Sequence, residues 1–165
     1  MLFRSASRDA RVGFVFARRG FTMEACSSFF LPRLVGAGRA LHLTATAALY
    51  PAGHPLLAGL FSHVVAPDQV LPTALAISDD IAANVCTTAV RLMRDLIYRG
   101  PDSPEATHLL DSNIFHAMAT TRDSAEGVAS FLQKRKPSFD PSTDDNLPVS
   151  YPWWTPVDVS VKPKI

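Results

Sequence analysis

Residues 10–36 read ARVGFVFARRGFTMEACSSFFLPRLVG, and this stretch decides the fold. Val12, Phe14 and Phe16 alternate with Gly13, Val15 and Ala17, as in a strand over 11–17 buried on both faces. Arg18, Arg19 and Gly20 break that pattern, and Gly20 is free to take a positive φ. Thr22 offers an N-cap, which puts Glu24 in the first turn of a helix. Ala25, Phe29, Phe30, Leu34 and Val35 then recur at helical spacing, with Pro32 as an interior residue that should bend the helix.

Upstream, residues 1–9 read as a short polar lead. Downstream, 39–48 read as a second helix, 49–55 (LYPAGHP) as a turn-rich loop and 60–65 as a short strand. From Pro67 onward the pattern is helical, with Val70, Leu71, Ala74, Leu75, Ile77 and Ile81 on one face. A helix over 86–99 is ended by Gly100-Pro101, and another covers 104–120. Ser124 is read as the cap of a last helix, which should bury Val128, Phe131 and Leu132 and end near Lys136-Pro137. The chain therefore divides into a β-containing part over 1–66, a helical region over 67–139 and a Pro-rich tail over 140–165, whose Tyr151, Trp153 and Trp154 could dock on a surface. The expected class is α/β, with too few strands to close a sheet by themselves.

Hydrophobic residues make up 47% of the 165 and charged residues 19%, which are globular values. A net charge of +1 removes the general electrostatic case for nucleic acid. Cys26 and Cys86 are too few and too far apart for a metal site or a disulfide framework. His42, His54, His63, His108 and His116 lack ligand spacing, so no metal is expected. The longest candidate span, 34–50, contains Arg39 and His42, so no membrane span is expected.

The phrase FVFARRG (14–20), Glu24, Ser27-Ser28 and FLPRLVG (30–36) resembles the crotonase, or enoyl-CoA hydratase/isomerase, superfamily. GLFSHVV (59–65) and EGVASFLQKRKPSF (126–139) resemble a strand and the C-terminal helix of the same family. The subfamily implied is that of fungal peroxisomal enoyl-CoA isomerase/hydratases. The resemblance covers the family's C-terminal half, so the expected fold is the C-terminal part of a crotonase: a short β remnant followed by a helical trimerisation region. The family's N-terminal half, with its oxyanion-hole donors, has no counterpart here.

By this resemblance Glu24 is the catalytic carboxylate, because several isomerases of the superfamily place theirs four residues after the turn glycine. A 3-enoyl thioester has an acidified proton at C2, and one positioned carboxylate can remove it and return it at C4. By the same resemblance hydratases use two carboxylates, one from the half without a counterpart here and one where this chain has Phe16, so isomerisation with a single carboxylate is favoured over hydration. Phe131 and Lys134 match the family residues that contact the adenine-phosphate end of coenzyme A; the plain reading is a core Phe and a solvated Lys. Arg18 and Arg19 are read as turn residues in preference to a phosphate clamp. The substrate is then an unsaturated fatty acyl-CoA, carried as a coenzyme A thioester with no further cofactor, in a pathway such as fatty-acid-derived toxin biosynthesis. The family implies a homo-oligomer, trimer or hexamer.

Two rival readings stand beside this one. The chain could be an inactive remnant, or a subunit that co-assembles with a full-length relative. It could also run dienoyl-CoA isomerisation or thioester hydrolysis on the same scaffold. Pro163-Lys164-Ile165 resembles a degenerate peroxisomal signal, so the peroxisome is expected. A mitochondrial address is the alternative, from the Arg- and Ser-containing first residues, although Asp9 argues against it.

Overall fold

The structure, a computed structural model, describes residues 3–140, 142, 147–158 and 160. The chain forms two compact units whose boundary falls between Ser78 and Asp79. The proposed targeting residues Pro163, Lys164 and Ile165 lie outside the described residues.

In the first unit, β1 (Ser5–Ser7) pairs in parallel with β4 (His63–Val65), in the register Ser5 to His63 and Ser7 to Val65. The segment read as a polar lead is therefore a strand. Arg4 anchors it: its carbonyl accepts from the Ser62 amide at 2.8 Å, and its Nε donates to the Leu60 carbonyl at 2.7 Å. β2 (Arg11–Val12) pairs antiparallel with β3 (Tyr50–Pro51).

The strand expected over 11–17 stops after Val12, and residues Val15–Arg19 form a 3₁₀ helix. Past Val12 the next pair would set Gly13 against Leu49, and the ladder does not reach it. Gly13 then passes so close to the backbone that a β-carbon would lie 2.7 Å from the Ala48 carbonyl oxygen.

Helices α1 (Ser27–Val35) and α2 (Ala37–Thr46) pack on each other across Gly36, whose φ of 86° lets the chain reverse. Leu31, Val35, Ala40 and Leu43 meet Leu57 and Leu60 in one apolar cluster, and Val12, Phe14, Met23 and Tyr50 close its sides. His54 caps the 3₁₀ turn Pro55–Leu57 by accepting from the Leu56 amide at 3.2 Å. Gly59 lies against the Leu34 carbonyl oxygen with φ of 92°, a position closed to any side chain. Helix α3 (Val70–Asn84) spans the boundary between the units.

The second unit is built from α4 (Thr87–Arg99), α5 (Pro104–Ala119) and α6 (Arg122–Leu132), packed in sequence. Cys86, Ser103 and Thr121 are the caps, accepting from the amides of Ala89, Ala106 and Ser124 respectively. Thr121 thus takes the role expected of Ser124, which lies inside the helix. α6 ends at Leu132, earlier than expected, and Val128, Phe131 and Leu132 are all exposed where burial was expected.

Residues 147–154 return along α4. The Tyr151 hydroxyl donates to Asp95 Oδ2 at 2.7 Å, and Trp153 Nε1 donates to the Arg99 carbonyl at 3.0 Å. The Arg99 guanidinium lies 4.6 Å from the Trp154 ring centre, and the three aromatic rings meet edge to face. The three aromatics therefore form a strap on α4.

Candidate functional site

Glu24 is positioned by what surrounds it in the chain. Gly20 ends the 3₁₀ turn in the left-handed region, at φ 72° and ψ 17°, and its amide bonds to the Ala17 carbonyl. Residues 21–24 then run without regular structure. Met23 packs against the apolar cluster, whereas the next residue, Glu24, is exposed.

The helix does not begin at Thr22. Ala25 and Cys26 are both left-handed, at φ 50° and 58°, and α1 starts only at Ser27. Neither is glycine, so each such conformation costs roughly 1–2 kcal/mol. Thr22 Oγ1 donates to the Met23 carbonyl, which removes it as a cap. The Glu24 carbonyl instead accepts from both the amide and the hydroxyl of Ser27, at 2.9 and 2.5 Å. Glu24 therefore stands just ahead of the helix, on a strained corner held from both sides. Among the described residues its carboxylate accepts no hydrogen bond, which leaves both oxygens available to a proton donor.

Arg18 caps the far end of α2, donating to the Thr46 carbonyl at 3.3 Å, as a turn residue would. Phe16 sits within the 3₁₀ turn and brings no carboxylate to this corner.

The second unit holds Phe131 and Lys134. They belong to one turn: the Lys134 amide donates to the Phe131 carbonyl at 3.2 Å. Phe131 is 81% exposed, so it is a surface ring and not a core residue. Lys134 is exposed as well, with φ of 52°. Sequence reasoning missed the residues that shape this turn. Glu126 accepts from Arg135 through both carboxylate oxygens, at 2.5 and 2.7 Å, and from the Ser138 amide at 2.7 Å. These bonds, the Arg135 fork first, hold the Glu126 carboxyl down at about 2. Glu126 and Arg135 are nine residues apart across a helix end, so no helical or strand period would have paired them.

A second cluster lies under α4. Cys86 Sγ donates to Asp123 Oδ2 at 3.2 Å, and the Asp140 amide donates to Asp123 Oδ1 at 3.0 Å. Burial pushes the Cys86 thiol up, opposed by the Ala89 amide and reinforced by Asp123. Among the described residues, no group of three His, Cys, Asp or Glu side chains could hold a metal ion. None of the described helices is long and apolar enough to cross a membrane.

The family model described as enoyl-CoA hydratase/isomerase matches residues 3–142. An enoyl-CoA hydratase of Alternaria alternata is 53% identical over 140 residues, which is 84% of this chain and 47% of the relative. A crotonyl-CoA hydratase of Syntrophomonas wolfei is 32% identical over 83% of this chain and 53% of its own length. The crystal structure of an enoyl-CoA hydratase from Bacillus anthracis superposes with a TM-score of 0.78 at 28% identity, over 86% of this chain and 55% of that one. The chain belongs to the enoyl-CoA hydratase/isomerase family and has the α/β crotonase fold. It spans about half the length of the curated relatives it matches.

Proposed function

We propose that this chain serves an enoyl-CoA isomerase that shifts the double bond of an unsaturated fatty acyl-CoA. The observation that carries the proposal is Glu24: an exposed carboxylate four residues after the left-handed Gly20, inside the family-matched region. In this reading Glu24 takes the acidic C2 proton of a 3-enoyl thioester and returns it at C4. The negative charge that develops on the thioester oxygen needs backbone N–H donors, each worth about 3 kcal/mol or more. By family resemblance those donors come from the fold's other half. Phe131 and Lys134 would meet the adenine-phosphate end of coenzyme A, and no further cofactor is needed.

Hydration of a 2-enoyl thioester is a second reading, favoured by the names of the relatives, several of which are hydratases. Phe16 weighs against it, because an apolar ring cannot activate water. One assay separates the two. The purified chain is given 3-enoyl-CoA and, separately, 2-enoyl-CoA, beside Glu24→Gln. Conversion of the first substrate that vanishes in the variant supports isomerisation. Water addition to the second supports hydration. A folded chain inactive on both would sink the stand-alone enzyme and favour a remnant or a partner subunit.

Self-association into trimers or hexamers belongs to the same proposal, as does a place in fatty-acid-derived toxin biosynthesis. The peroxisome is the proposed compartment, through Pro163-Lys164-Ile165. Removing those three residues from a fluorescent fusion should disperse its signal. An unchanged punctate signal would refute the assignment.

A further inference from the structure

Lys134 occupies a position that is costly for lysine. The last turn of α6 closes with two reversed hydrogen bonds, Lys134 N–H to the Phe131 carbonyl at 3.2 Å and Arg135 N–H to the Ser130 carbonyl at 3.1 Å. This is the Schellman arrangement, and its left-handed residue is ordinarily glycine. Here it is Lys134, with φ of 52°. A strained non-glycine residue persists only where its surroundings over-determine it, and such residues gather at functional positions.

The surroundings are on both sides of the turn. Glu126, one turn into α6, grips Arg135 through both oxygens and takes the Ser138 amide as well. Arg135 Nε donates to Gln133 Oε1 at 2.7 Å, and its Nη1 also donates to the Lys136 carbonyl at 3.1 Å. Behind the turn, the Phe139 ring lies on Gly127, 3.7 Å from where a β-carbon would stand. The residues that follow Lys134 are therefore tied back to α6 by one carboxylate, through the Arg135 side chain and the Ser138 amide. Arg135 spends its planar fork on this bracing, while Lys134 beside it is exposed.

We infer that Glu126 and Arg135 are positioning residues, a brace that fixes Lys134 where it receives the 3′-phosphate of a coenzyme A thioester. This rests on the reading of Lys134 as a coenzyme A contact. Without the brace the turn is free to relax from the left-handed form, and Lys134 is correctly aimed for only a fraction of the time. Apparent affinity then falls by that fraction.

The test uses the purified full chain and isothermal titration with adenosine 3′,5′-bisphosphate, set beside adenosine 5′-monophosphate, which lacks the 3′-phosphate. Lys134→Ala should weaken the bisphosphate and spare the monophosphate. Glu126→Gln and Arg135→Ala should each weaken the bisphosphate by about three- to tenfold, again sparing the monophosphate. The double variant should lose no more than either single one, because the two act as one unit. A Lys134→Ala chain that binds both nucleotides unchanged would overturn the coenzyme A reading itself. If Lys134→Ala weakens the bisphosphate but neither brace variant does, the brace alone is overturned. Equal loss for both nucleotides, or losses that multiply in the double variant, would also overturn it.

Discussion

Tyr151→Phe removes one oxygen atom from the strap on α4 and should destabilise the second unit measurably. Asp95 is 3% exposed, so its carboxylate depends on protein donors. Arg94 serves Oδ1, at 2.7 and 2.9 Å, and the Tyr151 hydroxyl serves Oδ2 at 2.7 Å. The same hydroxyl accepts from Arg91 Nε at 3.3 Å. A hydrogen bond to a charged group contributes about 1.5–3 kcal/mol, and Oδ1 keeps its donor in the variant, so a loss of about 2 kcal/mol is expected. For a chain of this length that lowers Tm by about 4–8 °C. The assay is built in. The chain has 2 tryptophans, Trp153 and Trp154, and both are in the strap, so intrinsic tryptophan emission reports on the strap alone. The variant should show red-shifted emission at low temperature, with an earlier helix-melting transition by circular dichroism. Trp153→Phe, which loses a bond to an exposed backbone carbonyl, should cost less, about 1 kcal/mol. Unmoved emission together with a Tm within about 1 °C of the parent would refute the strap's contribution.

Other consequences follow from particular contacts. Gly59→Ala puts a β-carbon onto the Leu34 carbonyl oxygen at a positive φ, and should cost at least about 2 kcal/mol in urea denaturation. Gly53→Ala, with open space at that position, should stay within about 0.5 kcal/mol; similar values for the two variants would sink the packing argument. The Glu126 carboxyl is lowered in the folded chain from 4.5 to about 2, so its stabilising contribution is complete above pH 4.5 and drains away as pH falls towards 2. The stability gap between the parent and Glu126→Gln should accordingly be constant above that window and close within it. A gap that persists unchanged through the window would contradict the pairing with Arg135. Cys26 is exposed, and burial raises the Cys86 thiol, so iodoacetamide at neutral pH should label Cys26 first. Equal labelling rates, read by peptide mass spectrometry, would contradict the Cys86 environment.

The sequence by itself determined the family, the class and the succession of helices, because those depend on local pattern and on phrases such as FVFARRG and EGVASFLQKRKPSF. Helical periodicity located α2 to α5 to within a few residues, and Gly20 was legible as a left-handed turn. Glu24, Phe131 and Lys134 were singled out by the resemblance to the family, not by periodicity or spacing.

What the sequence left open was set by partners distant in the chain. β2 stopped at Val12, where Gly13 runs against the Ala48 backbone, and residues 5–7 became a strand because β4 lay beside them. The start of α1 moved from Thr22 to Ser27 because Ala25 and Cys26 are left-handed, against their own intrinsic preference. The Glu126–Arg135 brace joins residues nine apart across a helix end, and the Tyr151–Asp95 bond joins residues 56 apart. Neither separation follows a helix or strand period, so only the tertiary structure could make those pairs. A periodic pattern records which face of an element is buried, whereas a polar contact between distant residues depends on where the folded backbone carries them.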